Sequence, residues 1–157
     1  MNGNETVDIS QITDYLYIAS LLKSEDAEAI RARNVTLIIN MIYIRPPEVY
    51  TQLPFHMLTL RTFDFPLLPI PIDKLKKGVE TALPYIQDGE SVLIYCRAGR
   101  HRSIAMGACI LIARGHTADE AMQLLRKGRE VADPYARHIE RQIRRFEQEW
   151  RTRDDIS

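Results

Sequence analysis

The segment VLIYCRAGRHRS, residues 92–103, decides how this chain is expected to fold. Its apolar start predicts a buried strand, Gly99 predicts a tight loop, and the apolar run after Ser103 predicts a helix. Successive backbone N–H groups of such a loop, together with the N-terminus of the helix, form a nest that binds anions. The sequence therefore predicts an anion-binding loop between a strand and a helix.

Strands and helices alternate before this loop. Residues 9–18 predict one or two short strands, and residues 24–34 predict a helix with a cap at each end. Residues 35–42 form a continuous apolar run typical of a buried strand, and residues 56–60 predict another strand. Residues 72–86 have helical spacing, although Pro84 is expected to kink that helix or end it early.

The pattern after the loop is helical throughout. Residues 103–114 are apolar up to Gly115, and Thr117 with Glu120 predicts a capping box for the next helix. Asp133 followed by Pro134 predicts the start of a last helix. We therefore expect an α/β fold: a single domain with a central, largely parallel mixed sheet flanked by helices, and a helical C-terminal tail.

The bulk composition excludes several classes of protein. The 157 residues suit one domain, with its core at about residues 7–152, and 45% of them are apolar. Basic and acidic residues both number 21, which argues against a nucleic-acid-binding protein. From Cys96 onward, however, 13 Lys or Arg face 9 Asp or Glu. The second half is therefore the one suited to an anionic ligand.

Two cysteines do not make a disulfide scaffold, so we expect a reducing, cytoplasmic location. The polar N-terminus has no signal-peptide core, and the longest apolar run is too short to span a membrane. The histidines lack metal-binding spacing and there is no Cys-x-x-Cys, so we expect no metal and no cofactor. We also expect a monomer.

The loop residues have a physical role if the anion is a phosphoryl group. The positive field of the nest favours a thiolate, so Cys96 is expected to be a nucleophile. Gly99 lets the backbone turn inward where a side chain would block it. Arg102 can hold two phosphate oxygens with its planar fork. The hydroxyl of Ser103 can donate to the sulfur and improve it as a leaving group.

The loop CRAGRHRS resembles the signature of the cysteine-dependent protein tyrosine phosphatases, in particular their small dual-specificity branch. Residues 12–18 and 36–40 are similar to two strands of that branch. The resemblance implies a hydrolase of phosphate monoesters that forms a phosphocysteine on Cys96. The chain departs from the family pattern at Tyr95, where the family usually has His. The implied phosphate-binding residues are Arg97, Ala98, Gly99, Arg100, His101 and Arg102.

The resemblance also implies a general acid some thirty residues before the cysteine. Asp64 lies in a Pro-rich loop at about that distance. Asp73 and Asp88 are competitors, but Asp73 is better explained as the N-cap of a helix starting at Lys74, and Asp88 by a turn. The flanking Phe63 and Phe65 either line the pocket mouth or anchor the loop in the core.

Two substrate classes stay open at this stage. The chain is too short for the elements that deepen the pocket of larger tyrosine-specific members, so phosphotyrosine with phosphoserine or phosphothreonine is the first interpretation. Basic residues at Arg97 and Arg100 resemble members that act on phosphoinositides, phosphatidylglycerophosphate or inositol pyrophosphates. The alternative is that Arg97 and Arg100 face solvent and bind no ligand.

Two other functional classes remain: a non-catalytic phosphate-binding module of the same fold, and a rhodanese-type sulfur transferase. Both fit less well, because Cys96, Asp64 and Arg102 are all present. Elsewhere, we predict that Cys109 is a small core residue and that His116 and His138 are surface residues. A basic face on the last helix predicts either a solvated surface or a membrane contact; it comprises Arg137, Arg141, Arg144 and Arg145.

Overall fold

A five-stranded sheet forms the centre of the molecule. The computed structural model describes residues 7–156, with side chains as far as Arg153, so the predicted absence of a signal peptide concerns residues outside the described part. The strand order is β1-β2-β5-β3-β4, and only the pair β1–β2 is antiparallel. The strands are β1 (Ile9–Gln11), β2 (Leu16–Ala19), β3 (Val35–Asn40), β4 (His56–Thr59) and β5 (Ser91–Tyr95).

The middle of the sheet is apolar because both of its faces are covered. Every residue of β2 and β5 is buried, and β3 is buried except for Thr36. Parallel strands end at the same edge of a sheet, and ligands bind in α/β proteins beyond that edge. Cys96 follows directly on β5, the central strand, so the fold places it at the middle of this edge.

Five α-helices complete the domain, and the third is its core. All of α3 from Ser103 to Ile112 is buried, because it packs on β2 and β5 and against α2, α4 and α5. This burial explains why its sequence is apolar on every side. The helices are α1 (Ala27–Arg31), α2 (Ile72–Gln87), α3 (Arg102–Ala113), α4 (Ala118–Gly128) and α5 (Arg137–Ile156). No helix among the described residues is both long and apolar enough to cross a membrane.

The predicted α/β fold is confirmed, and so is the capping box of α4, where Thr117 Oγ1 accepts from the Glu120 amide at 3.1 Å. Pro84, however, does not end α2 early, since the helix continues to Gln87. Pro84 is exposed and stands in the last turn, where a missing N–H costs the helix only one hydrogen bond.

The helical segment begins at Ser24 as predicted but lacks the predicted N-cap, and two other predicted helix starts are wrong. The segment after Ser24 is a 3₁₀ turn, Ser24–Asp26, followed by α1, and its N-cap residue, Lys23, makes no side-chain capping bond. Asp73 is not an N-cap, because α2 begins at Ile72 and Asp73 lies in its first turn. The last helix begins at Arg137 rather than beside Asp133.

Candidate active site

The phosphate loop, residues 96–102, turns Cys96 toward two hydrogen-bond partners. The amide of Gly99 donates to Cys96 Sγ at 3.2 Å, and Ser103 Oγ lies 3.2 Å from the same sulfur. The loop therefore has the geometry that the sequence predicted for a nucleophile, with Ser103 where it could assist departure of the sulfur.

Gly99 is required by the backbone and by its surroundings. Its φ of +64° lies in the left-handed region. A Cβ there would come within 2.6 Å of Arg129 Nη2 and 2.8 Å of the Ala19 carbonyl oxygen. The prediction that a side chain would block this turn is confirmed.

Arg129 supports the loop from behind and was missed by the sequence analysis. Its side chain is only 2% exposed. Its Nε donates to the Gly99 carbonyl at 2.7 Å and its Nη2 to the Ala98 carbonyl at 3.1 Å. The guanidinium also makes two hydrogen bonds to the carboxylate of Asp8, at 2.9 and 3.0 Å, and one to Ser10. The Arg129 hydrogen bond holds the pKa of Asp8 below its usual value, against a smaller opposing effect of burial.

The inner side of the loop presents free donors. The amides of Arg97, Ala98 and Arg100 donate to no group in the part of the chain that the structure describes. Arg102 Nη1 donates to the Thr62 carbonyl at 2.9 Å. Its buried Nε has no partner among the described residues. An unsatisfied buried guanidinium N–H is costly, so its presence here indicates an anionic ligand.

The acid loop, residues 61–71, lies over this site. It is irregular, as predicted, and Arg61 has a left-handed φ of +47° at its start. Asp64 binds two imidazoles: Oδ2 lies 2.8 Å from His101 Nδ1, and Oδ1 lies 2.7 Å from His138 Nε2. The prediction that His138 is a plain surface residue is therefore wrong, since its side chain is 14% exposed and contacts the candidate general acid.

The electrostatics of Asp64 favour its ionised form. Partial burial raises the pKa of this carboxyl, but hydrogen bonds from His138 and His101, together with the charge of those rings, outweigh burial and hold the pKa below its usual value. An ionised carboxylate is ready to accept a proton from water. Donating a proton to a leaving group requires the scarcer acid form.

Asp133 contacts the phosphate loop and does not cap a helix. Its amide donates to the Arg100 carbonyl at 3.0 Å, and its carboxylate lies 3.4 Å from His101 Nε2 and 3.7 Å from Arg100 Nη2. Arg100 keeps 58% of its side chain exposed despite this pair, and Arg97 is also exposed. The two arginines thus stand at the rim, while His101 is held by two carboxylates.

The competing carboxylates have other positions. Asp73 lies in the first turn of α2, and Asp88 follows the end of that helix beside Gly89, whose φ is +82°. Asp64 is the one of the three that contacts a residue of the phosphate loop. Its role as general acid and base stays a prediction, now with a supporting geometry.

Aromatic side chains surround the acid loop on its solvent side. Phe63 and Phe65 are about half exposed, so they do not anchor the loop in the core. The ring of Phe63 lies 4.9 Å from that of Tyr43, which is also exposed. These rings form a small apolar rim that suits a flat or apolar group beside the phosphate.

The remaining predicted residues fall into the body of the domain or onto its surface. Cys109 is fully buried in α3, and burial raises the pKa of its thiol, as expected for a core residue. Tyr95 is buried, and its hydroxyl has no partner within residues 7–153. The arginines of α5 are solvent-exposed, and four of them make ion pairs: Arg144 with Asp119 and Glu140, Arg145 with Glu149, Arg151 with Glu147, and Arg153 with Glu80.

Comparisons with known proteins identify similar chains. No protein-family model matches this chain. It is 44% identical over 50 residues to mouse dual specificity phosphatase 28, covering 31% of each chain. It is 31% identical over 114 residues to human phosphatidylglycerophosphatase and protein-tyrosine phosphatase 1, covering 68% of this chain and 56% of that one. The matches thus span about a third and about half of these two relatives.

The overall structure also has close counterparts. A crystal structure of a mouse putative dual specificity phosphatase, complexed with zinc tungstate, superimposes with a TM-score of 0.86. It covers 98% of this chain and 95% of its own, at 24% identity. At that identity the likeness establishes the fold alone.

Proposed function

This chain belongs to the small dual-specificity branch of the cysteine-dependent protein tyrosine phosphatases, and from this premise we propose that it hydrolyses phosphate monoesters. The observation that carries the proposal is the phosphate loop itself. Cys96 Sγ faces two donors at 3.2 Å, and beside it Arg102 presents a buried Nε without a partner in the described chain. A tetrahedral dianion satisfies both features.

The proposed reaction has two steps. In the first, Cys96 Sγ attacks phosphorus while the free amides and Arg102 bind the three equatorial oxygens. The bond to the leaving oxygen breaks, and Asp64 supplies its proton. In the second step the Asp64 carboxylate takes a proton from water, which attacks the phosphocysteine. Ser103 donates to the departing sulfur, and inorganic phosphate leaves.

The experiment is a set of parallel assays on the purified protein. We expect release of phosphate from p-nitrophenyl phosphate, inhibition by vanadate, and no thiocyanate from thiosulfate and cyanide. Acid quenching during turnover of a phosphorus-32 substrate should trap one phosphate on Cys96. Catalysis without a trapped label on Cys96 contradicts the covalent mechanism, and thiocyanate formation indicates a sulfur transferase.

We propose that the substrate is a phosphorylated protein. The enzyme would remove phosphate from phosphotyrosine and from phosphoserine or phosphothreonine. The exposed rings of Tyr43 and Phe63 beside the acid loop support it, because they offer apolar contact to a peptide. The ion pair with Asp133 neutralises part of the charge of Arg100, which lessens the case for a polyanionic substrate.

A second candidate is a phosphatase of inositol or lipid phosphates. It is favoured by the exposed Arg97 and the 58% exposed Arg100, and by the name of the human relative, a phosphatidylglycerophosphatase. A headgroup with further phosphates gains charge-assisted hydrogen bonds at this rim, each worth about 1.5–3 kcal/mol.

One double variant separates the two candidates. In Arg97→Ala with Arg100→Ala, kcat/KM on a polyphosphorylated inositol should fall by about 10²-fold or more if that is the substrate class. Activity on neutral phosphopeptides should change only severalfold. The matched control is Arg31→Ala with Arg151→Ala, which removes the same charge from exposed positions on α1 and α5. An equal fall on all substrates means that the rim arginines support the loop.

A further inference from the structure

The contacts of Asp64 extend beyond the proposed reaction. Asp64, His101 and His138 form a cluster, named here the histidine–aspartate cluster, from the acid loop, the phosphate loop and α5. One ligand-capable atom from each lies within 4.8 Å of the others. The proposed chemistry needs only the carboxylate. Neither imidazole donates to or accepts from the phosphoryl group in it. Both hold Asp64 in place, and two imidazoles at one carboxylate are also a set of groups that can ligate a metal ion.

We propose that the histidine–aspartate cluster binds a divalent transition-metal cation, with Zn²⁺ the best match, and that the bound cation inhibits the enzyme. Two imidazole nitrogens and one carboxylate oxygen are a common ligand set for Zn²⁺, which binds each at about 2.0–2.2 Å. Tetrahedral ligands at that radius lie about 3.3 Å apart. Each imidazole nitrogen now lies 2.7–2.8 Å from a different oxygen of Asp64, so a bound ion would replace both hydrogen bonds and its ligand atoms would move apart to about 3.3 Å.

The surroundings of His101 support a metal site. Metal-ligating histidines usually direct their second ring nitrogen at a carboxylate, which fixes the ring orientation. His101 turns Nδ1 toward Asp64, and its other nitrogen, Nε2, faces Asp133 Oδ2 at 3.4 Å. The carboxylates of Asp64 and Asp133 also balance the double charge of the cation. Arg100, the cation on Asp133, is 58% exposed and can turn to solvent.

The site combines fixed ligands with one adjustable ligand. His101 and His138 are 17% and 14% exposed and stand on a tightly held loop and a long helix. Asp64 is 34% exposed on an irregular loop that can shift to accept an ion. Three protein ligands leave a fourth position for water. Mg²⁺ and Ca²⁺ prefer all-oxygen sites, so they should bind poorly here.

The inhibition, but not the binding, rests on the proposed function. A carboxylate oxygen coordinated to Zn²⁺ can neither hold the proton for the leaving group nor take one from water. Zinc should therefore act like the loss of Asp64. Its inhibition should be stronger for esters with poor leaving groups than for p-nitrophenyl phosphate, whose leaving group barely needs a proton.

The binding experiment removes the competing ligand first, because the Cys96 thiolate can itself bind zinc. Isothermal titration of Zn²⁺ into Cys96→Ser protein should show one site. Adding His138→Asn should weaken it at least tenfold, whereas adding His116→Asn, a histidine outside the cluster, should not. Mg²⁺ should give no binding. Melting temperatures of both double variants check that they are folded.

Several results would overturn the proposal. Zinc binding that is unchanged by His138→Asn rejects the cluster as the site. Binding seen in the wild type but absent in Cys96→Ser assigns the ion to the thiolate, and no binding to either protein rejects a site altogether.

The activity measurement uses the wild-type enzyme, which zinc should inhibit and a chelator should restore. The zinc concentration for half-inhibition should be at least tenfold higher in His138→Asn. A metal-free wild type inactive on every ester, with zinc binding retained, contradicts the proposed function and leaves the metal site standing. Inhibition equally sensitive to zinc in His138→Asn contradicts the inhibitory role.

Discussion

The phosphate loop and the acid loop face each other across the candidate site, yet they are held in place in different ways. The phosphate loop continues from the buried strand β5 into the buried helix α3, and Arg129 binds two of its carbonyls from behind. The acid loop is exposed from Phe63 to Pro69. It is held chiefly by side chains of other elements, through Arg102 on the Thr62 carbonyl and two imidazoles on Asp64.

The difference shows that the nucleophile is positioned by the core and the candidate acid by a few polar contacts. Changes behind the phosphate loop should therefore affect both stability and catalysis. Changes in the acid loop should affect catalysis while the free energy of unfolding stays nearly constant, since exposed loops contribute little to it.

The largest effect is expected at the nucleophile. Cys96→Ser should abolish turnover, because no base among the described residues contacts Cys96 Sγ to activate a neutral hydroxyl there. It should still bind vanadate or tungstate, since the amides and Arg102 remain. Steady-state kinetics and calorimetry measure the two properties. Cys109→Ala, a change in the buried body of α3, is the control that should keep turnover. A Cys96→Ser rate within tenfold of wild type contradicts the mechanism.

The next effect tests the acid loop. Asp64→Asn should lower kcat by about 10²–10⁴ on esters with poor leaving groups, and by less on p-nitrophenyl phosphate. Its unfolding curve in urea should nearly match that of wild type. Asp73→Asn serves as the control. If Asp73→Asn shows this leaving-group dependence and Asp64→Asn does not, the general acid is misassigned.

A smaller effect on rate, joined to one on stability, is expected behind the phosphate loop. Arg129→Met removes the donors to the Gly99 and Ala98 carbonyls, so kcat/KM should fall by about 10-fold or more. The free energy of unfolding should drop by about 2–3 kcal/mol, because hydrogen bonds of a buried charged group are lost. Urea denaturation and kinetics report both. A variant that loses stability but not activity would show that the loop holds its shape without Arg129.

The smallest effect concerns the outer partner of Arg129. Because the folded protein lowers the pKa of Asp8 below 3.8, ionised Asp8 stabilises the fold above that pH, and the contribution disappears as the pH falls through the lowered value. Asp8→Asn should therefore melt slightly lower than wild type at pH 7, and the difference should narrow as the pH falls toward 3. The side chain is 61% exposed, which keeps the shift small. A difference between the two melting temperatures that widens toward pH 3 contradicts the sign.

The same contrast explains what could be read from the sequence. The strand–loop–helix arrangement around Cys96 was predicted correctly because its residues are contiguous and the signals for strand, turn and helix are local. Asp64 was found only through a family resemblance and a Pro-rich setting. His138 and Arg129 were missed because their roles depend on contacts 74 and 30 residues away along the chain. On α5, the burial of His138 by the acid loop leaves no trace in helical periodicity.

The wrong helix boundaries have local causes that the pattern did not reveal. Asp133-Pro134 is a frequent helix start, but here the carboxylate of Asp133 faces His101 and Arg100. Pro84 is tolerated because it occupies an exposed last turn. At Asp133, tertiary contacts rather than local propensity decided the outcome.

The two thiols of this chain differ enough that Cys96 should be labelled selectively. Cys109 is fully buried and its pKa is raised, so it should resist alkylation in the folded state. Cys96 is only 3% exposed but lies within the loop proposed to bind anions, which should draw in small anionic reagents such as iodoacetate. A mass spectrum after mild treatment should thus show a single adduct, and prior addition of phosphate should prevent it. The wild-type chain could then carry a reporter group at its candidate active site without removal of the second cysteine.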